Sequence, residues 1–132
     1  MSRLSGRERW VRVAAGFLSI SYAIGAPLTA YAEYASHALS QRFGYPPALI
    51  YLTCAVQLVC SVGVLARALA PWAAAALTAI TLGAIASHFR IESPVTALPA
   101  VVYTAIQVWY GLESRTPTEL SVNSDAVQER RR

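Results

Sequence analysis

The run ALAPWAAAALTAITLGAIASHF, residues 68–89, holds no formally charged side chain over 22 positions. At about 1.5 Å per residue it makes a helix of about 30 Å, the thickness of a hydrocarbon core. From Ala68 to Ile85 it is apolar almost all round, so it lacks the polar face that every helix of a soluble bundle needs. Working outward, three more uncharged runs appear: 20 residues between Arg12 and Glu33, 24 from Phe43 to Ala66, and 20 from Ser93 to Leu112. The joining loops are too short to hold a domain. The pattern predicts an all-α protein, a four-transmembrane-helix bundle in one membrane domain over residues 1–113. Its spans fall at about 11–32, 46–66, 69–88 and 94–112.

Composition agrees. The chain has 132 residues, of which 55% are hydrophobic and 14% charged, against about 25% charged in a soluble domain. That balance excludes a disordered tail, a collagen and a disulfide-stapled secreted domain, and argues against a soluble enzyme. The net charge of +4 is carried by loops and tail, so nucleic acid is not an expected partner. The bilayer is.

Lysine is absent, and the arginines set the orientation. Arg3, Arg7, Arg9 and Arg12 precede the first span, Arg67 lies in the second loop and Arg115 follows the last span; only Arg42 and Arg90 fall on the other side. Both termini are therefore expected in the cytoplasm. Trp10, Trp72 and Trp109 fall at the same ends, where an indole buries its ring and wets its N–H; Tyr31, Tyr34, Phe43, Tyr45 and Phe89 form the opposite belt. The N-terminus has a competing reading. A basic start, an apolar stretch from Val13 to Ala26, Pro27 and then Ala30-Tyr31-Ala32 also fits a cleavable signal peptide. Ser19, Ser21 and Tyr22 dilute that core and suit a packed helix instead. Residues 114–132, ending in Arg130 to Arg132, read as a disordered cytoplasmic tail.

Small and polar residues indicate packing. Ala75, Ala79, Gly83 and Ser87 recur every four residues and predict a face for close helix approach. Thr53, Gln57 and Ser61 form a polar stripe on the second span, and Tyr103, Gln107 and Gly111 share a register on the fourth. Gln57 and Gln107 are thus expected in the bundle interior, as interhelical glue or ligand contacts. Pro27 and Pro99 are expected to kink the first and fourth spans, while Pro46, Pro47 and Pro71 stand at helix starts.

Several chemistries are missing. Cys54 and Cys60 lie six apart, about 9 Å along a helix, too far for an intrahelical disulfide. Without a Cys-x-x-Cys pair the chain lacks the equipment of membrane thiol oxidases and vitamin K epoxide reductases. No acid lies within a span, as a proton-coupled four-helix exporter would need. There is no Gly-rich phosphate loop, no Ser/His/Asp set with a suitable Asp, and no His pair within a span for haem.

The richest chemistry lies at the outer ends of the first and third spans. Glu33 and His37 are four apart, as are His88 and Glu92, with Arg42 and Arg90 beside them. The topology gathers all six on one membrane face. An interfacial network, with Glu33 paired to Arg42 or Glu92 to Arg90, is the plain reading. Glu33, His37, His88, Arg90 and Glu92 are, as the second reading, candidates for a ligand or proton-relay site. The cofactors such groups would take are a quinone-like headgroup or a divalent metal, although no ligand spacing here is specific to a metal.

A family resemblance rests on short motifs. Gly44-Tyr45-Pro46-Pro47 opens the second span, which ends Gly63-Val64-Leu65-Ala66-Arg67; Leu69-Ala70-Pro71-Trp72 leads into an alanine-rich third span. Ala86-Ser87-His88-Phe89-Arg90 then precedes a span opening at Ser93-Pro94 and running through Leu98-Pro99. Over about residues 11–113 the chain resembles the DoxX-like family of small four-helix membrane proteins. The resemblance implies an accessory or anchoring subunit of a quinone-linked membrane redox assembly, with a membrane-protein partner or a homo-oligomer. It also implies a bacterial-type cytoplasmic (inner) membrane. A self-standing membrane enzyme or binding protein for a quinone-like, lipid-soluble ligand is the alternative, and a small-solute transporter comes third; the residues leave open whether this is an enzyme. The chain departs from the family twice. Gln57 stands where members often carry a glutamate, and Tyr22, Pro27 and Thr29 are the residues late in the first span where members often carry a lysine.

Overall fold

The computed structural model describes residues 6–92 and 94–115. It comprises α1 (Gly6–Ser36), a short α2 (Ala38–Phe43), α3 (Pro47–Gly63), α4 (Ala70–Ile91), a 3-10 turn (Pro94–Ala97) and α5 (Leu98–Glu113). The four long helices form a closed ring: α1 and α4 lie across from one another, and each packs against both α3 and α5. Arg7 at the start of α1 is paired with Glu113 at the end of α5, so both ends of the described chain lie at one end of the bundle.

The bundle wears its apolar side chains outside. On α1, Ala14, Ala15, Leu18, Tyr22, Ala26 and Glu33 are buried, whereas Val13, Phe17, Ile20, Ile24, Leu28 and Tyr31 are exposed at helical spacing. A surface stripe of large apolar residues along a full helix suits lipid rather than water. Among the described residues three segments are long and apolar enough to cross a membrane: Gly6–Ser36, Ala70–Ile91 and Pro94–Glu113. The fourth, α3, is apolar but only 17 residues long. It falls short of the expected 46–66 because the chain turns out of the helix at Val64. There the Val64 N–H still bonds the Cys60 carbonyl, but the Val64 carbonyl is taken by the Tyr110 hydroxyl of α5. All described secondary structure is helical, as expected.

The core has two parts. Leu18, Val64, Ala73, Ala74, Leu77 and Tyr110 fill the half nearer the termini, and Ala26, Ile50 and Cys54 the other. Close approach occurs at Ala73 and Ala74: a Cβ built on Gly63 would lie 3.1 Å from Ala73 Cβ, and one on Gly111 3.1 Å from Ala74 Cβ. The expected stripe is therefore displaced. Ala75, Ala79 and Gly83 are exposed and only Ser87 is buried, because the neighbouring face with Leu77 and Thr81 turns to the core. Pro99 also differs from expectation. The 3-10 turn precedes it, so it stands in the first turn of α5, where its missing N–H leaves no bond unmade. α1 continues through Pro27. The expected tail lies outside the described residues beyond Arg115.

Candidate functional site

Two polar constellations stand out, one at the end away from the termini and one in the middle of the bundle. At the first, α1 ends at Ser36 and His37 takes a left-handed backbone, φ 50°, which turns the chain into α2. Glu33 is completely buried beneath that turn. Its Oε2 accepts the backbone N–H groups of Leu39 and Ser40 at 3.0 and 3.1 Å, capping α2 with a carboxylate from the preceding helix. Its Oε1 lies 3.5 Å from His37 Nδ1. The i,i+4 pair is thus together although the helix does not run on to His37.

Glu92 terminates α4 in an extended conformation and binds backwards. Its Oε2 lies 2.9 Å from His88 Nδ1, and its other oxygen pairs with Arg42 of α2. The pairing thus crosses between elements, correcting both expected pairs: Arg42 serves Glu92 rather than Glu33, and Arg90 is exposed, with no ion pair among the described residues. Glu33 gives one oxygen to the α2 N–H groups, and its other oxygen is buried without a hydrogen-bond partner, 3.5 Å from His37 Nδ1. His88 packs edge-on to Phe43, 5.5 Å between centroids, and the hydroxyls of Tyr45 and Ser87 meet at 2.7 Å. Ser87 donates to the Gly83 carbonyl, so Tyr45 is the donor of that bond. The Glu33–His37 and His88–Glu92 pairs do not converge: among the described residues no three His, Cys, Asp or Glu side chains form a group able to hold a metal.

The second constellation is in the membrane interior. Gln107 of α5 is fully buried; its Nε2 donates to the Tyr22 hydroxyl of α1 and its Oε1 accepts from Thr81 of α4 at 2.9 Å. Thr104 donates to Thr81 at 2.9 Å. Three helices are thereby tied at one level. Beside this network lies a laterally open cavity of about 270 Å³, lined by Tyr22, Gly25 and Thr29 of α1, the half-buried Gln57 of α3, Thr81 of α4 and Tyr103 of α5, among others. Tyr103 meets the Tyr22 ring edge-on at 5.8 Å. Among the described residues nothing accepts the Tyr22 proton, and Gln57 has no hydrogen-bond partner. Two donors therefore border the same cavity.

The chain matches the sequence profile of the DoxX-like family over residues 11–110, which takes in all four long helices and both constellations. It belongs to the DoxX-like family. No curated protein and no solved structure matches it.

In this DoxX-like bundle the candidate residues divide by place. Glu33, His37, His88 and Glu92 occupy the end distal to the termini, Gln57 and Gln107 the interior, and Arg90 neither network. Tyr22, Thr81 and Thr104 were not singled out as site residues by the sequence. Thr81 carries a signal, being a hydroxyl in a largely apolar run; Tyr22 is marked in the sequence as a packing residue and as one of the positions where family members often carry a lysine. Cys54 and Cys60 are free and buried, on one helix.

Proposed function

We propose that this DoxX-like membrane protein is an accessory component of a redox assembly that holds the ring of a quinone-like, lipid-soluble ligand in the mid-bundle cavity. The observation that carries the reading is the pair of unmet donors at that cavity, the Gln57 amide and the Tyr22 hydroxyl. An amide without a partner inside hydrocarbon is unfavourable, and a carbonyl on an entering ring would accept from it. A volume of about 270 Å³ suits a small ring and lies just below the usual range of about 300–1,000 Å³ for drug-sized ligands. The ring of Tyr103 supplies an aromatic wall.

The same lining favours holding over turnover. Among the described residues it contains no carboxylate and no imidazole, so a bound ring meets hydrogen-bond donors but no strong acid or base. The His and Glu groups that could serve lie in the distal network, engaged in capping and ion pairs. When bound, a quinone would supply electron-transfer chemistry; Tyr22 and Gln57 would orient it. The link to a redox assembly in a bacterial-type inner membrane rests on the family. The test is binding of a short-chain ubiquinone to the purified full chain, read by quenching of tyrosine and tryptophan fluorescence. Tyr22→Phe and Gln57→Leu should each weaken binding about five-fold, from roughly 1 kcal/mol per intramembrane hydrogen bond. His37→Ala with His88→Ala should leave it unchanged. Binding that ignores Tyr22 and Gln57, or that fails with the histidines, would overturn the assignment. Gentle extraction from native membranes, followed by native mass and proteomics, tests the assembly: a larger complex with a redox enzyme is expected, and a lone chain would remove the accessory role.

A further inference from the structure

At the end of the bundle that holds both termini lies a second, larger cavity, of about 780 Å³. It is bounded by the first turns of α1, the turn between α3 and α4, and the last turn of α5. Its wall carries four arginines, Arg7, Arg12, Arg67 and Arg115, against two glutamates, Glu8 and Glu113. One positive charge is already used, since Arg7 is paired with Glu113. Arg12, Arg67 and Arg115 make no ion pair among the described residues, and all three are exposed. They come from three different elements and converge only through the fold. The floor is closed by the Tyr110 hydroxyl donating to the Val64 carbonyl.

Two features specify the ligand. Arginine forks arranged around a cavity match the oxygens of a phosphate, which accept bidentate bonds. The cavity also sits where the apolar runs begin and end, beside Val13 and Leu112, and its lining passes from the arginines to Val11, Ala15 and Leu65. A ligand with a charged head and an apolar continuation fits both parts. We propose that this cavity binds the phosphate head of an anionic phospholipid. Basic pockets between membrane helices bind such headgroups by the same combination of charge and depth. The assignment is independent of the mid-bundle cavity.

Native mass spectrometry of the full chain in mild detergent, offered equal amounts of phosphatidylglycerol and phosphatidylcholine, tests it. Phosphatidylglycerol should be retained in preference. Arg12→Ala with Arg67→Ala should lower its retention by about twenty-five-fold, roughly five-fold for each arginine at an anionic surface. Arg9→Ala with Arg90→Ala, outside the cavity, should leave it unchanged. Equal retention of the two lipids by the unaltered chain, a measurement that needs no variant, would overturn the proposal. So would an equal loss in the Arg9 and Arg90 variant, which would mean that net charge alone acts. Displacement of the lipid by inorganic phosphate, but not by sodium chloride of the same ionic strength, would assign the cavity to a soluble phosphate and overturn the lipid assignment.

Discussion

Arg42 of the six-residue helix α2 is paired with Glu92 at the end of α4, and the same carboxylate lies 2.9 Å from His88 Nδ1. One acid therefore joins the α1–α3 connection to the α4–α5 connection at the end of the bundle away from the termini. The hydrogen bond with His88 is the largest influence on the Glu92 carboxyl. Burial opposes it, but Thr96 and Arg42 add to it, and the carboxyl is held below its ordinary range. A lowered folded-state pKa contributes stability above the unfolded value of about 4.3, lost as the pH falls through the folded value. Thermal unfolding in detergent should thus show a melting temperature that falls on acidification below about pH 4. Glu92→Gln should melt lower at pH 7 and respond less to acid. Parallel profiles for the two proteins would show that the carboxylate contributes nothing.

Gln107 ties α5 to α1 through Tyr22 and to α4 through Thr81. Gln107→Leu removes both bonds and leaves the Tyr22 and Thr81 hydroxyls to find other partners. Thr81 has the Leu77 carbonyl within 3.1 Å, so part of the loss is recovered. The expected destabilisation is about 1 kcal/mol, since intramembrane hydrogen bonds contribute roughly 0.6–2 kcal/mol each. Denaturant unfolding in mixed micelles measures it. A variant as stable as the parent would mean the network serves the cavity rather than the fold.

Gly111 and Ala74 set the spacing of α5 against α4. A Cβ on Gly111 would already stand 3.1 Å from Ala74 Cβ, so Gly111→Leu must push the helices apart. Overpacking of this kind is unfavourable by about 1–3 kcal/mol. Gly83→Ala is the matching control, because nothing lies within 4 Å of its added Cβ and Ala favours the helix. The first variant should lose folded yield and the second should not; equal behaviour would place the α4–α5 contact elsewhere.

The helices were legible because charge is absent over whole spans, a property of the chain that folding does not alter. Period-four reading of α4 failed for a related reason. Nearly all of that helix is apolar, so apart from the hydroxyls of Thr78 and Thr81 little separates Ala75, Ala79 and Gly83 from the Ala73, Ala74 and Leu77 face that is buried. The pairing of Arg42 with Glu92 was equally out of reach. It depends on the left-handed turn at His37, which carries α2 and Arg42 over to the end of α4, and no local spacing encodes that turn. The polar residues Gln57 and Gln107 were visible from composition alone. Their division, one satisfied and one unmet beside a cavity, required the neighbouring helices.

The pairing of Arg7 with Glu113 puts the two ends of the described chain on one side of the bundle, and the arginine bias predicts that this side is cytoplasmic. Arg3, Arg7, Arg9, Arg12, Arg67 and Arg115 belong to that side by sequence, against Arg42 and Arg90 on the other. Retention of arginine-rich loops in the cytoplasm predicts that a green fluorescent protein fused to the C-terminus fluoresces, and that an alkaline phosphatase fused there is inactive. A phosphatase placed after Gly44, in the connection between α2 and α3, should be active. Active phosphatase at the C-terminus would invert the protein. The arginine cavity would then face the outer leaflet, where anionic lipid has to be present for it to be filled, and the Glu92 network would be cytoplasmic and shielded from external acid. The same pair of fusions thus fixes which compartment's pH the Glu92 carboxylate responds to.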